Sequence, residues 1–290
     1  MTFPSKIFLD SGDPAETKAA DEMLKKAGHV GLEGQTTNPS LIAKRAKKEL
    51  DPNGEKGGIL IQPDAVAYYK KIVEDIAKII SGPISIQVLA TPQTTTEQML
   101  EMAKSRVKWI PNGVVKFPCT AQGLAAASSF CQDGGPVNMT LTFSEEQAAA
   151  VYGATRNHAF DVYLSPFVGR LDDQGDNGMD AVANILTLLR KAPDSTIQVV
   201  TSSIRNIKHL YYALALKSDA MTIPFSVFTQ WANEGFPAPG ADFIYHATDL
   251  RPIVYRELSL DGDWHQQQIH HPLTVAGVAA FWNDWQSILM

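Results

Sequence analysis

Gly-Val-Val-Lys-Phe-Pro-Cys (113–119) is a short apolar run that contains a single charged residue, Lys116. Short apolar runs of this kind are typical of strands that are buried on both faces. Burial disfavours the charged ammonium and can lower a lysine pKa by roughly 3–5 units, which leaves a neutral nucleophile. The alternative is a lysine near a strand end whose amine reaches solvent. The fold around this run decides between the two.

Seven similar apolar runs occur elsewhere in the chain, and segments of helical period, such as 63–80 and 179–191, follow the runs. The seven lie near 6–10, 31–37, 84–90, 137–143, 161–167, 196–202 and 220–223. Alternating strands and helices indicate a parallel sheet, and eight units in 290 residues favour a closed (β/α)8 TIM barrel. An open doubly wound sheet would be expected to carry a glycine-rich turn after its first strand, where this chain has Asp-Ser-Gly-Asp-Pro (10–14).

The chain is divided here into a barrel, residues 1–235, and a C-terminal extension, residues 236–290. The extension begins with a proline-rich stretch and ends in a segment, 273–289, with an apolar stripe at helical spacing. We expect this terminal helix to pack on its own barrel. The alternative is a contact with a neighbouring subunit, and a homo-oligomer is expected.

Composition and charge exclude several classes of protein. The net charge of −6 and the pI near 5.6 leave no broad basic surface for a nucleic acid. The basic cluster at 44–48 lies in a polar stretch, 44–58, that we interpret as a solvated loop. No window approaches the ~20 apolar residues that span a bilayer, so no membrane partner is expected. Cys119 and Cys131 are expected to be free thiols, which fits the cytoplasm.

The barrel prediction can be tested by the parity of each strand. Residues two apart on a strand share a face, and catalytic groups gather at the C-terminal ends of barrel strands. A carboxylate, an amine, amides, hydroxyls and a guanidinium at one mouth would form an aldolase-like site, which favours the reactive lysine. The polar residues that parity assigns to the mouth are Asp10, Asn38, Gln87, Lys116, Asn138, Thr140, Thr142, Ser165, Thr201, Ser203 and Arg205.

Several ordered motifs carry a family resemblance. They are Thr-Thr-Asn-Pro-Ser-Leu-Ile (36–42), Val-Val-Lys-Phe-Pro-Cys-Thr-Ala-Gln-Gly-Leu (114–124), Asn-Met-Thr-Leu-Thr-Phe-Ser (138–144) and Ser-Pro-Phe-Val-Gly-Arg (165–170). They resemble the transaldolase and fructose-6-phosphate aldolase family from Asp10 to about Arg205, with a further echo at 281–286. The resemblance implies a class I aldolase that cleaves a ketose phosphate through a Schiff base on Lys116, with no metal or cofactor.

The resemblance also implies roles for the other residues. Asp10 matches the family's acid/base at the C4 hydroxyl, although an aspartate here could instead cap the helix that starts near Pro14. Thr140 and Gln87 match the pair that holds a catalytic water. Substrate-binding positions are implied for Thr37, Asn38, Asn138, Ser165 and Phe167, and a phosphate pocket for Arg170, Ser203 and Arg205. For Arg170, a surface ion pair is the alternative.

Two residues point to different branches of the family. Gln87 resembles the fructose-6-phosphate aldolases, whereas Phe167 resembles the transaldolases. A glutamine cannot accept a proton as a glutamate does, and a poorly activated water favours transfer over release. We therefore expect a transaldolase. The alternatives are an aldolase that releases dihydroxyacetone and a phosphosugar-binding barrel that has lost turnover.

Overall fold

The computed structural model describes residues 2–55, 58–156, 160–192, 194–240 and 242–290. These residues form eight parallel strands that close into a barrel in chain order, which confirms the predicted fold class. The strands are β1 Lys6–Asp10, β2 Gly34–Thr36, β3 Ile84–Gln87, β4 Gly113–Pro118, β5 Val137–Thr142, β6 Val162–Pro166, β7 Ile197–Thr201 and β8 Ala220–Pro224.

Helices surround the barrel because each crossover between parallel strands covers the sheet with a helix. They are α1 Pro14–Lys26, α2 Pro39–Leu50, α3 Gln62–Ala77, α4 Thr96–Arg106, α5 Ala121–Gln132, α6 Glu145–Thr155, α7 Val168–Asp172, α8 Gly178–Arg190, α9 Ile207–Ala215, α10 Phe225–Asn233 and α11 Pro272–Gln286. In the described residues, no helix is long and apolar enough to cross a membrane.

The basic cluster at 44–48 is helical, so the prediction of a loop over 44–58 is wrong for its first part. Ala43 and Ala46 are buried at helical spacing on α2. Arg45 forms ion pairs with Asp13 at 3.1 Å and with Glu49, one turn away, at 3.0 Å. Residues 56–57 of the predicted loop lie outside the described residues.

The barrel interior is built in two layers. The lower layer is apolar and contains Phe8, Val114, Tyr163, Val200 and Ala220. The next inward position on each strand, two residues on, belongs to the upper layer, because side chains alternate between the faces of a strand. The strand register sets Gln87 beside Lys116 and Lys116 beside Asn138. The closed sheet therefore fixes the lysine between two amide side chains.

The predicted parity fails on two strands. On β5 the register shifts between Thr140 and Thr142, with Leu141 at φ 59°, so the alternation does not extend to Thr142. On β7 the inward residue is Val200, and Thr201 instead hydrogen-bonds Ser218 at 2.8 Å. The predicted parity of β7 is therefore one residue out, and the pairing continues past Thr201 through a bridge between Ser202 and Phe167.

The C-terminal extension returns along the outside of the barrel to its mouth. Arg251 pairs with Asp176 at 2.8 Å. Helix α11 then packs against α2, and Thr274 donates a hydrogen bond to the carbonyl of Leu141 at 2.8 Å. Beyond α11, Leu289 forms a parallel bridge with Leu60. These contacts hold α11 against the C-terminal ends of the strands.

Candidate active site

A pocket of about 200 Å³ opens at the C-terminal end of the barrel. It brings together seven of the residues predicted from the sequence, and adds residues from β8, α2, α11 and the segment after β7. The nominated residues are Asp10, Asn38, Lys116, Phe167, Arg170, Ser203 and Arg205, and the additions are Ser40, Leu41, Ser202, Thr222 and Phe281.

Lys116 lies on β4 with 1% of its surface exposed, so the side chain does not extend to bulk solvent. Burial lowers the pKa of its amine to about 8, and the charge of Asp10 partly opposes this shift. The amine nitrogen lies 5.9 Å from the centroid of the Phe167 ring. At neutral pH a useful fraction of such an amine is unprotonated and nucleophilic.

Asp10 ends β1 and is partly buried, and this loss of solvation raises the pKa of its carboxyl group. The charge of Lys116 and a hydrogen bond from Thr36, 2.7 Å long, act in the opposite direction. The cap of α1 is Asp13, whose side chain accepts from the backbone N–H of Ala15, so Asp10 is not engaged as a helix cap. A raised pKa suits a carboxyl group that both takes and gives a proton.

Asn138 and Ser165 lie below the pocket in a buried chain of hydrogen bonds. The hydroxyl of Ser165 donates to the Asn138 side-chain oxygen at 2.8 Å, and the Asn138 amide donates to the Ser85 hydroxyl at 2.9 Å. Sequence reasoning missed Ser85, although its place two residues before Gln87 gives it the same parity. It also missed Thr222, which hydrogen-bonds Thr36 at 2.6 Å.

Gln87 and Thr140 share an unusual feature. Both are buried, and within the described ranges neither the Gln87 oxygen Oε1 nor the Thr140 hydroxyl has a hydrogen-bond partner. Gln87 borders a small cavity that Pro118 and Phe281 also line. Buried polar atoms usually have partners, so two such acceptors on β3 and β5, the strands that flank β4 and Lys116, are a feature of chemical interest.

Thr37 faces away from the pocket. Its hydroxyl donates to the Ser85 carbonyl at 2.7 Å and hydrogen-bonds the Tyr69 hydroxyl at 2.6 Å. Tyr69 in turn accepts from the backbone N–H of Gln87 at 3.0 Å. The structure therefore brings Thr36 rather than Thr37 to Asp10, because Thr37 follows it and points to the opposite side. Asn38 caps α2 and lines the pocket.

The rim of the pocket carries two guanidinium groups. Arg170 is half-buried on α7, and burial, followed by the charge of Arg205, lowers its pKa. Arg205 is exposed and pairs with Asp173 at 2.9 Å. Ser203 lies in the turn before α9 at φ 58°. Two guanidinium groups and a hydroxyl form a set that suits a phosphate dianion.

The amino-acid sequence is similar to known proteins of one family. A family model described as "Transaldolase/Fructose-6-phosphate aldolase" matches residues 7–290. The chain belongs to this family. It is 36% identical over 252 residues to "Probable transaldolase" of Sorangium cellulosum (strain So ce56), which covers 86% of this chain and 100% of that protein. It is 32% identical over 286 residues to "Probable transaldolase" of Anaeromyxobacter dehalogenans (strain 2CP-C), covering 98% and 97%.

Membership of the transaldolase and fructose-6-phosphate aldolase family confirms the resemblance found in the motifs. The match also extends past Arg205 through the extension to residue 290. In this part of the chain the motifs had shown a resemblance only at 281–286. The sequence motifs were strongest where the strands meet the pocket. The family of transaldolases and aldolases identifies the protein as an enzyme.

Proposed function

We propose that this enzyme is a transaldolase that moves a dihydroxyacetone unit between phosphorylated sugars through a Schiff base on Lys116. The donor is fructose 6-phosphate or sedoheptulose 7-phosphate, and the acceptor is an aldose phosphate, as in the pentose phosphate pathway. The observation that carries the proposal is a buried lysine, whose pKa is lowered to about 8, in one pocket with the partly buried carboxyl group of Asp10.

The proposed reaction begins when the neutral Lys116 amine attacks the C2 carbonyl of the ketose and water leaves. The resulting iminium accepts the electron pair of the C3–C4 bond as Asp10 removes the proton of the C4 hydroxyl. An aldose phosphate departs and an enamine remains on the lysine. The enamine then attacks the carbonyl carbon of the second aldose phosphate, Asp10 returns the proton, and hydrolysis of the iminium releases the product.

Gln87 and Thr140 are proposed to hold the water that enters and leaves during imine formation and hydrolysis. Support comes from their two buried acceptors, each of which lacks a partner in the described part of the chain. Because the Gln87 amide does not accept a proton, this water is activated by position and by Asp10. If the lysine-bound intermediate is hydrolysed slowly after the first aldose phosphate has left, the enamine reacts with an acceptor instead.

The remaining nominated residues bind the substrate in this proposal. Asn38, Asn138 and Ser165 hydrogen-bond the three-carbon unit beside Lys116, and Phe167 covers the amine. Arg170, Ser203 and Arg205 bind the phosphate, since a guanidinium can donate two parallel hydrogen bonds to phosphate oxygens. Thr37 faces Tyr69 and is given no contact with the substrate.

Trapping with sodium borohydride and fructose 6-phosphate tests the Schiff base. We expect intact mass to show a sugar-derived adduct on the parent and on Lys71→Ala, which alters an exposed lysine, but not on Lys116→Ala. An adduct on Lys116→Ala would place the imine elsewhere. No adduct on any folded protein would overturn the aldolase mechanism in favour of a sugar-binding barrel.

A fructose-6-phosphate aldolase is the second candidate, and Gln87 favours it because the sequence around this residue resembles that branch. A coupled assay for dihydroxyacetone release, with and without an aldose phosphate acceptor, separates the two. Transfer requires that product formation depends on the acceptor. Full-rate cleavage without an acceptor would overturn the transaldolase proposal and leave the aldolase.

We also propose that the enzyme is a cytoplasmic homo-oligomer. Two buried free thiols support a reducing compartment, and Val275, 41% exposed on α11, is an apolar residue available for a subunit contact. Light scattering after size-exclusion chromatography measures the mass of the assembly. A mass equal to one chain at micromolar concentration would contradict the oligomer.

A further inference from the structure

Arg170 lies over two aromatic rings that come from distant parts of the chain. Its guanidinium carbon is 5.9 Å from the centroid of Phe167, at the start of α7, and 5.5 Å from that of Phe281, on α11. In the described part of the chain, Arg170 forms no ion pair within 4.0 Å. Its position therefore depends on packing, and its N–H groups remain available to a ligand.

Gly277 lets α11 approach this guanidinium. A Cβ atom at this position would lie 2.9 Å from the Arg170 nitrogen Nη1, closer than real Cβ contacts allow. The same atom would lie 2.5 Å from the side chain of Leu141. Glycine weakens a helix interior relative to alanine, so its presence in the middle of α11 requires a local reason. The close approach of Arg170 and Leu141 supplies one.

Two contacts between α11 and neighbouring elements hold the helix in this place. The hydroxyl of Ser40, which lines the pocket, donates to the carboxylate of Asp284. Trp285 is buried, and its indole N–H donates to Gln62 at 3.2 Å. Asp284 also attracts the Arg170 guanidinium, and its charge acts to raise the pKa that burial lowers. Both contacts therefore fix α11, and with it Phe281 and Gly277, relative to Arg170.

We propose that α11 determines the selectivity for a phosphorylated sugar, with Gly277 and Phe281 as the positioning residues that aim the Arg170 guanidinium into the pocket. This inference rests on the proposed function and adds a specificity determinant to it. A guanidinium whose face contacts aromatic rings keeps its N–H edges, which lie in its own plane, for hydrogen bonds. Those edges are the groups that bind phosphate oxygens in pairs.

The test compares the steady-state kinetics of Gly277→Ala for fructose 6-phosphate and for fructose, which lacks the phosphate. We expect KM for fructose 6-phosphate to rise about tenfold, the effect of weakening a charge-assisted hydrogen bond, with kcat and the fructose rate little changed. The matched control is Gly262→Ala, because a Cβ at Gly262 meets nothing within 4 Å. It should leave both substrates unaffected.

A double-mutant cycle separates the effect on Arg170 from the contact with Leu141. In an Arg170→Met background, Gly277→Ala should raise KM for fructose 6-phosphate no further, because the group it displaces is gone. If Gly277→Ala does not fold, Phe281→Leu removes the ring at similar volume and should raise the same KM by a smaller factor. Equal losses for fructose and fructose 6-phosphate, or full losses without Arg170, would overturn the inference.

A binding measurement distinguishes this inference from the proposed function. Titration calorimetry with inorganic phosphate reports the anion site without any turnover. Weaker phosphate binding in Gly277→Ala than in Gly262→Ala would support the inference even if borohydride trapped no adduct on the parent. Unchanged phosphate binding in Gly277→Ala, with trapping intact on the parent, would refute the inference and leave the Schiff-base proposal standing.

Discussion

The floor and the rim of the pocket are built in different ways. At the floor, Asp10 and Lys116 lie on strands whose register is fixed by the closed sheet; Lys116 is buried and Asp10 is partly buried. At the rim, Arg170 lies on a helix of one turn, and Arg205 follows a strand end. Burial within the barrel shifts the pKa of both floor groups, whereas recognition at the rim depends on elements that pack together.

Close packing shapes the rim at single residues. Ser203 adopts φ 58°, a left-handed conformation that few residues other than glycine favour. A Cβ on Gly169 would lie 2.2 Å from the Arg205 nitrogen Nε and 2.7 Å from the Ser203 carbonyl oxygen. Steric contacts therefore limit which residues the rim tolerates, whereas the charges of Asp10 and Lys116 limit which residues the floor tolerates.

The largest expected effect separates two steps at the floor. Asp10→Asn should lower the rate of C3–C4 cleavage by about 10²–10⁴-fold, because the proton acceptor is lost while the Lys116 amine remains. Single-turnover cleavage measures this loss, and borohydride trapping measures the imine. Asp64→Asn, which alters an exposed carboxylate, is the control. If trapping falls as much as cleavage, Asp10 acts in imine formation instead.

Burial of the Lys116 amine should lower the free energy of unfolding. Its folded pKa of about 8 is below the ordinary 10.5, so the unfolded chain binds more protons between these values and stability rises with pH there. Lys116→Met should increase the free energy of unfolding by about 3 kcal/mol at pH 7. Denaturant unfolding should show this gain shrinking from pH 8 towards pH 10.5. A gain independent of pH would mean that the amine is not desolvated.

The two arginines of the rim should differ in their effect on substrate binding. Arg170→Met should raise KM for fructose 6-phosphate by about 10–100-fold, the worth of hydrogen bonds to a charged group in a half-buried site. Arg205→Met should raise it less, because Arg205 is exposed and already paired with Asp173. The KM for fructose 6-phosphate of both variants, measured at low and high salt, provides the check. A larger loss for Arg205→Met would reverse the assignment of the principal phosphate ligand.

The smallest expected effect concerns the support of the floor. Tyr69→Phe removes the hydroxyl that links the Gln87 N–H to Thr37, and should cost about 1 kcal/mol of stability and a few-fold in imine hydrolysis. Tyr68→Phe is the matched control, since its hydroxyl bonds Glu49 at 2.9 Å far from the pocket. Thermal unfolding and acceptor-dependent turnover measure both. Equal effects for the two variants would show that the Tyr69 hydroxyl does not support the function of Gln87.

Strand parity predicted the floor better than the rim. It placed Lys116 and Asp10 correctly in one pocket because both lie within regular strands. It failed at Thr142, where a register shift breaks the alternation, and on β7, where the inward residues are Val200 and Ser202 rather than Thr201. It also missed Ser202 and Phe281, which line the pocket. A local pattern carries no information beyond the end of the element that produces it.

The eight strand and helix units, the closed barrel and the burial of the lysine are predictable from the sequence, because apolar periodicity acts over a few residues at a time. The motifs also implied Arg170, Ser203 and Arg205 as a phosphate pocket, but how the rim is assembled depends on the tertiary structure. The positions of Arg170, Gly277 and Phe281 relative to one another depend on an extension that returns along the outside of the barrel to its mouth. Contacts between residues so distant in the chain follow from packing in three dimensions, which no spacing within the sequence encodes.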